Sequence, residues 1–278
     1  MGLGRTSRKD CILMKLKIYG CRGSVPVYRK SNEHFGGNTS CIGLFSGDYS
    51  IVLDGGSGLV NLCRDSKDPN ANTHGPQDIL LSHLHMDHII GLCAFGPAFD
   101  ANKGVRIFTT SRDKRSLANQ VFGMFKPPYW PLDLEEALYA ECITVHEDTP
   151  FAASHPDKTT SFHISDGKKS LVYLLDNEMS IMDDDAYKNL ASYCKNADMV
   201  VFDSAYSPDD YPKFKGWGHS TVLDGIKLRR DSDCKRMMFT HFAQKYTDED
   251  IFGWKRYFEG AFDEDCYMFA CDGLEVTL

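Results

Sequence analysis

The 278-residue chain carries a formal charge of −8, with 42% hydrophobic and 25% charged residues. That is enough apolar side chain for a large α/β core and too acidic for broad electrostatic binding of a nucleic-acid backbone. A membrane helix needs about 18 uncharged apolar residues in a row and a secretory signal needs an apolar run near the N-terminus, and neither is visible. Ten cysteines are scattered without C-x-x-C pairs, as expected of small buried hydrophobes in the reducing cytoplasm rather than of disulfides or a zinc–thiolate site. A small substrate is the starting expectation.

In chain order, strands are predicted at Lys15–Tyr19, Ser40–Phe45, Tyr49–Leu53, Ile79–Leu81 and Val105–Thr109, with Gly-containing turns between them and a helix following Gly58. Further strands are predicted at Ile143–His146, Thr160–Ile164 and Ser170–Leu175, the last two joined as a hairpin by Asp166-Gly167. Helix and strand then alternate: Asp183–Tyr193 and Met199–Phe202, Thr221–Leu228 and Arg236–Thr240, Asp248–Tyr257 and Tyr267–Ala270. This order gives an α/β protein with its chemistry at strand ends and in the loops beyond them. With no short repeat or low-complexity linker, residues 14–278 are expected to form one domain, preceded by a polar, basic and disordered extension over 1–13.

The densest chemistry lies in Ser82-His83-Leu84-His85-Met86-Asp87-His88, directly after the apolar run Ile79-Leu80-Leu81. His83 and His85, two apart on extended backbone, point the same way, while Asp87 and His88 open an amphipathic helical run and can reach a second ion. Two adjacent metals need about seven or eight protein ligands and an anionic bridge. Candidates lie at further strand ends: His155 in a loop before a strand, Asp176 after Leu171-Val172-Tyr173-Leu174-Leu175, and His241 after Met237-Met238-Phe239-Thr240. His146 and His163 rival His155 as the third histidine, but both fall inside predicted strands, where half the side chains face away from a cleft.

The motifs Leu53-Asp54-Gly55-Gly56, His83-x-His85-x-Asp87-His88, His155, Leu174-Leu175-Asp176-Asn177-Glu178 and Thr240-His241-Phe242 resemble, in that order, those of the metallo-β-lactamase superfamily. The resemblance implies a four-layer αββα sandwich, with His83, His85 and His155 on one metal, Asp87, His88 and His241 on the other, and Asp176 bridging. Asp54 is then expected to order the metal loop from behind its ligands, although an Asp-Gly turn would alone account for it. The segment Asp157-Lys158-Thr159 after His155 departs from the glycine-rich sequence common in the family.

Two more blocks narrow the branch. Gly216-Trp217-Gly218-His219-Ser220-Thr221 and Phe239-Thr240-His241-Phe242-Ala243-Gln244-Lys245-Tyr246 are similar to the His-Ser-Thr and final histidine blocks of ribonuclease Z and related phosphodiesterases. Gly20-Cys21-Arg22-Gly23-Ser24-Val25-Pro26, Gly36-Gly37-Asn38-Thr39-Ser40-Cys41 and Pro127-Pro128-Tyr129-Trp130-Pro131 resemble a bacterial subgroup of that branch. The expected activity is therefore a dinuclear metal-dependent phosphodiesterase. A bridging water, its pKa lowered toward about 7, would attack phosphorus, and His219 would protonate the leaving alkoxide with Asp203 orienting it. Asp87 counts with His219 and Asp203 among the catalytic groups. Arg22, Ser24, Asn38 and the amides around Gly23 and Gly36-Gly37 are candidate phosphate contacts, and Tyr129 and Trp130 a candidate stacking or lid element.

Transfer-RNA-processing relatives commonly clamp RNA with a long arm between the third histidine and the bridging aspartate, whereas positions 156–175 here supply only twenty residues. A small-molecule phosphodiester, best a cyclic nucleotide or other cyclic phosphate, is the expected partner, without a membrane. The alternatives are a nuclease of the ribonuclease Z type, a thioester or lactone hydrolase, and a metal-dependent binding or sensing protein. Nitrogen-rich ligation favours two zinc ions, with manganese or iron as alternatives, and a homodimer is left open.

Overall fold

The structure is a computed structural model; it describes residues 14–46, 49–65, 78–94, 105–109, 117–134, 143–147, 151–152, 155, 159–258 and 266–278. The expected extension over residues 1–13 lies outside these, as do the immediate neighbours of His155 in sequence.

The strands are β1 (Lys15–Gly20), β2 (Arg22–Gly23), β3 (Cys41–Ser46), β4 (Tyr49–Leu53), β5 (Asp78–Leu80), β6 (Val105–Thr109), β7 (Ile143–Glu147) and β8 (Phe151–Ala152). They continue as β9 (Thr160–Ser165), β10 (Ser170–Leu174), β11 (Met199–Asp203), β12 (Arg236–Thr240), β13 (Phe242–Ala243), β14 (Tyr267–Phe269) and β15 (Glu275–Thr277). The helices are α1 (Leu59–Asp65), α2 (Met86–Ile89), α3 (Leu117–Phe122), α4 (Asp184–Tyr193), α5 (Val222–Ser232) and α6 (Asp248–Phe258).

A seven-stranded sheet, ordered β15-β1-β3-β4-β5-β6-β7, and a six-stranded sheet, ordered β14-β12-β11-β10-β9-β8, make the two central layers. Leu16, Ile18, Leu44 and Leu53 of the first sheet share one buried core with Leu171, Tyr173, Val201 and Met238 of the second. Strand β1 shows the period of two that burying one face requires, with Lys15 exposed and Leu16 and Ile18 fully buried. The parallel run β10-β11-β12 has helices on its outer side and is apolar almost throughout, since both of its faces are covered. Helix α5 lies on β11 and β12, and a second core beyond the other sheet gathers Val52, Leu59, Ile79, Ile107 and Phe122. The expected αββα sandwich is the fold.

The predicted elements recur with two kinds of difference. Helix α5 runs on to Ser232, four residues beyond the expected end, and stops at Asp233 in left-handed backbone; the polar run Arg229-Arg230-Asp231 carries no apolar periodicity to read. The two-residue strands β2, β8 and β13 and the edge strand β15 are too short to leave an alternation. No helix among the described residues is long and apolar enough to cross a membrane.

Parallel pairing aligns the carboxyl ends of β4 with β5 and of β10 with β11 and β12. The chain leaves these ends at Asp54, Ser82, Asp176, Asp203 and His241. At Asp54, Asp176 and His241 it does so with φ of 58°, 48° and 66°, a left-handed turn that costs a non-glycine residue about 1–2 kcal/mol. Such conformations persist where surrounding contacts over-determine them, and they cluster at functional sites.

Candidate metal centre

The seven ligand candidates singled out by sequence come together at these strand ends. His83, His85, His155 and Asp176 can each direct one ligand atom into a common space, those atoms lying within 4.8 Å of one another, as do those of Asp87, His88 and His241 in a second group. Asp176 faces both. Its Oδ2 lies 3.4 Å from His83 Nε2 and 3.7 Å from His155 Nε2, and its Oδ1 lies 3.1 Å from His88 Nε2 and 3.4 Å from His241 Nε2. Among the described residues, Asp176 Oδ1 and the Nε2 atoms of His83, His88 and His241 are buried without a hydrogen-bond partner. Orphaned buried polar atoms are costly and rare, and four of them aimed at one another suit a pair of cations.

The far edges of the imidazoles are held by hydrogen bonds. His88 Nδ1 lies 2.7 Å from Asp54 Oδ2, His241 Nδ1 lies 2.9 Å from Ser40 Oγ, and His83 Nδ1 lies 3.1 Å from Ser82 Oγ. A donor–acceptor partner on Nδ1 fixes the tautomer that leaves Nε2 free to ligate. Asp54 is fully buried and also accepts hydrogen bonds from the Ser82 amide at 2.7 Å, Ser82 Oγ at 2.8 Å and Tyr173 Oη at 2.8 Å. Because Tyr173 stands on β10, this last bond ties the metal loop of one sheet to the other.

Electrostatics put Asp87, Asp176 and His83 in ligand-ready forms. His88 differs: although burial opposes its charge, Asp176, Asp87 and Asp54 hold it well above the ordinary histidine value, so a cation bound there would take the place of its proton. Burial pushes the Asp87 and Asp176 carboxyls up, but the imidazoles around them outweigh it and hold both below the usual carboxylate range. Burial, reinforced by His88, holds His83 well below the ordinary histidine value. Ionised carboxylates and neutral imidazoles are the metal-binding forms.

His219 borders the same space, with a ligand atom within 4.8 Å of those of Asp176 and His241. Its ring stacks on His241 at 5.2 Å, and its Nδ1 lies 2.8 Å from Asp203 Oδ2. Burial opposes charge on His219, yet Asp203, with Asp176 and Asp87 beyond it, raises the pKa to about 9. The Thr221–Asp224 capping box starts α5 two residues later and anchors the chain there.

The rival histidines stand elsewhere. His163 is exposed on β9 and meets the Tyr193 ring at 5.7 Å, and His146 pairs with Phe108 within the seven-stranded sheet.

Among the substrate candidates, Arg22 does not face the cleft. It is 0% exposed, and its guanidinium donates to the carbonyl oxygens of Gly36 at 2.8 Å and Tyr246 at 2.9 Å. The amides expected to cradle phosphate are also engaged: Ser24 N donates to Asp87 Oδ2 at 2.7 Å, Gly37 N to Asp272 Oδ2 at 3.1 Å and Gly36 N to Asn32 O at 2.9 Å. Asn38 is tied to Asp272 by its amide and side chain and accepts from Ser57. These groups shape the loops behind the centre. Ser24 remains exposed at the rim, Tyr129 is 78% exposed, and Trp130 packs against Phe125 in the second core.

The β-lactamase superfamily domain matches residues 49–242, a span from β4 to β13 that contains every ligand candidate. The chain belongs to that family. A ribonuclease Z from Archaeoglobus fulgidus is 18% identical over an alignment of 289 positions, covering 86% of this chain and 90% of that protein. Ribonuclease Z from Streptomyces coelicolor is 26% identical over 73 residues, 26% of this chain; the match spans about a quarter of that relative's length, 24%. Among solved structures, the metallo-β-lactamase fold protein YhfI from Bacillus subtilis superposes with a TM-score of 0.71 at 18% identity, covering 96% of this chain and all of that one. The short form of human tRNase Z gives 0.67 at 16% identity, covering 94% and 98%. At these identities the structural likeness shows the fold.

Several residues of the centre gave no sign in the sequence. Ser40 and Tyr173 sit within predicted strands, where nothing distinguishes a residue bonded to a ligand from any other. Glu178, in the quoted Asp176-Asn177-Glu178 motif, is fully buried and reaches the segment before His219.

Proposed function

We propose that the protein is a dinuclear metal-dependent phosphodiesterase of the cytoplasm, acting on a small, preferably cyclic, phosphodiester. His83, His85, His155 and Asp176 would hold one ion, and Asp87, His88 and His241, with Asp176 as the bridge, the other. Zinc suits this nitrogen-rich donor set best. Two such ions, when bound, supply positive charge against a phosphate and a water of lowered pKa.

The observation that carries the phosphodiester assignment is the Asp203–His219 pair, 2.8 Å apart at the edge of the ligand cluster. Ester hydrolysis at phosphorus leaves an alkoxide that needs a proton. Asp203 accepts from Nδ1 and favours the imidazolium, so that the opposite ring edge of His219 serves as the donor. Asp87, ionised and held by the Ser24 amide, keeps negative charge beside His241. The segment between His155 and Asp176 supports a small substrate, because Thr160–Ser165 and Ser170–Leu174 form a hairpin built into the sheet. Ser24 and Tyr129 are the remaining candidate substrate contacts.

A nuclease is the second reading, favoured by the ribonuclease Z relatives. Metal analysis combined with a panel of cyclic nucleotides, bis-p-nitrophenyl phosphate, structured RNA and an acyl thioester separates the cases. Two equivalents of metal and preference for a cyclic phosphate are expected; preference for the thioester, or no hydrolysis of any panel member by the two-metal protein, would overturn the proposal.

A further inference from the structure

Glu178 is fully buried, and among the described residues no lysine or arginine pairs with it. A buried carboxylate without a counter-ion needs hydrogen-bond donors on both oxygens. Here they come from one short segment: Tyr211 Oη and Gly216 N each donate to Oε1 at 2.6 Å, and Gly218 N donates to Oε2 at 2.8 Å. Gly216 and Gly218 have φ of 90° and 92°, conformations that glycine adopts without strain. The amide of Gly218 precedes His219 directly.

The other side of His219 is stitched to the same stretch. Ser220 Oγ donates to the carbonyl oxygen of Asn177 and accepts from Met179 N at 3.0 Å, and Asn177 N donates to Asp203 Oδ2 at 3.2 Å. Asp176, Asn177, Glu178 and Met179 therefore form a strap whose first residue faces both ligand groups, while Glu178 holds the backbone amides before His219 and Asn177 and Met179 hold the Ser220 side chain after it.

We propose that Glu178 is a positioning residue that sets His219 at a fixed distance from Asp176, so that proton donation and the metal bridge stay in register. The inference rests on the assignment of His219 as proton donor. Glu178 touches no substrate atom. A carboxylate is needed because a carboxamide has a single acceptor oxygen: in Glu178→Gln either the glycine–tyrosine pair or Gly218 N would meet an NH₂ group, donor against donor.

Glu178→Gln is compared with wild type and His219→Ala on two substrates, a ribose-linked cyclic phosphate and bis-p-nitrophenyl phosphate, with metal content measured throughout. Misplacing a catalytic group by about 1 Å can cost up to about 100-fold, so turnover of the cyclic phosphate is expected to fall at least about tenfold. The nitrophenyl ester, whose leaving group needs no proton, should change less than about twofold with both metals retained. In the metal-free protein, amide hydrogen exchange over residues 214–219 should accelerate in Glu178→Gln while the sheets stay protected. Unchanged exchange there, or equal losses on the two substrates, would overturn the inference. If His219→Ala itself shows no difference between substrates, the proton-donor assignment fails first; if it shows one and Glu178→Gln does not, the positioning role alone fails. Should Glu178→Gln not fold, Tyr211→Phe removes one donor from the same carboxylate, and a smaller loss in the same direction, about two- to threefold, is expected; no such loss would again overturn it.

Discussion

Gly23 lies against the Nε2 edge of His241: a Cβ placed on Gly23 would sit 2.6 Å from both Nε2 and Cδ2 of that ring, and 3.0 Å from the backbone oxygen of His241. The contact follows from the pairing of β2 with β13, in which Gly23 stands opposite Ala243. His241 is 1% exposed, so the ring has no room to withdraw. Gly23→Ala is expected to displace His241 and lower metal content from two equivalents toward one while the fold persists. Elemental analysis with circular dichroism checks this, and an alanine variant retaining two metals at wild-type affinity would show that the ring can move after all.

Asp176 presents one oxygen to each ligand group, so Asp176→Ala should remove or loosen both ions and abolish hydrolysis. His155→Ala should behave likewise. His163→Ala, whose side chain is exposed and meets Tyr193, should retain both metals; metal loss in this variant but not in His155→Ala would reverse the choice of third histidine.

Removing a positioned proton donor costs about 10²–10⁴ in rate. His219→Ala should therefore lose that much on a ribose-linked cyclic phosphate, keep its metals, and lose far less on an activated nitrophenyl ester. Because His219 lies within reach of Asp176 and His241, metal loss in this variant would instead identify it as a ligand.

Asp203→Asn should show the same ordering in milder form, with an added signature in pH. Asp203 raises the His219 pKa, to about 9, and a general acid stops working as pH climbs through its pKa. Without that carboxylate, the alkaline limb of the cyclic-phosphate profile should move to lower pH. An unmoved limb would separate Asp203 from proton donation.

Tyr173→Phe removes one of the donors to Asp54 and leaves those of Ser82 and His88 in place. A net hydrogen bond contributes about 1 kcal/mol, and losing an outer partner of a metal ligand typically costs 10–100-fold in metal affinity or activity. Weaker retention of metal against a chelator, at the mild end of that range, is expected with little change in secondary structure; Asp54→Ala should be more severe.

The sheets were legible because burying one or both faces imposes an apolar pattern: Tyr49–Leu53, Val105–Thr109 and Arg236–Thr240 have the same bounds in the structure as in the sequence. The ligand candidates were legible because four metal-competent side chains crowd into Ser82–His88 and the remaining motifs follow in the order the family resemblance implies. What supports them was not. Arg22 looked available for phosphate, but its partners are the carbonyl oxygens of Gly36 and Tyr246, and every residue has a carbonyl. Ser40 meets His241 across 201 positions, and pairings of two residues such as β2 with β13 leave no periodicity at all.

That pairing joins Arg22-Gly23 to Phe242-Ala243, so residues near the two ends of the chain must meet before the second ligand group is framed. During synthesis, at about 5–20 residues per second, the N-terminal half can collapse early, but Asp87 and His88 wait for His241, which is made long after them. The second group is consequently framed later than the first, and a nascent or truncated product ending just before residue 241 would carry His83, His85, His155 and Asp176 but leave Asp87 and His88 without their third partner.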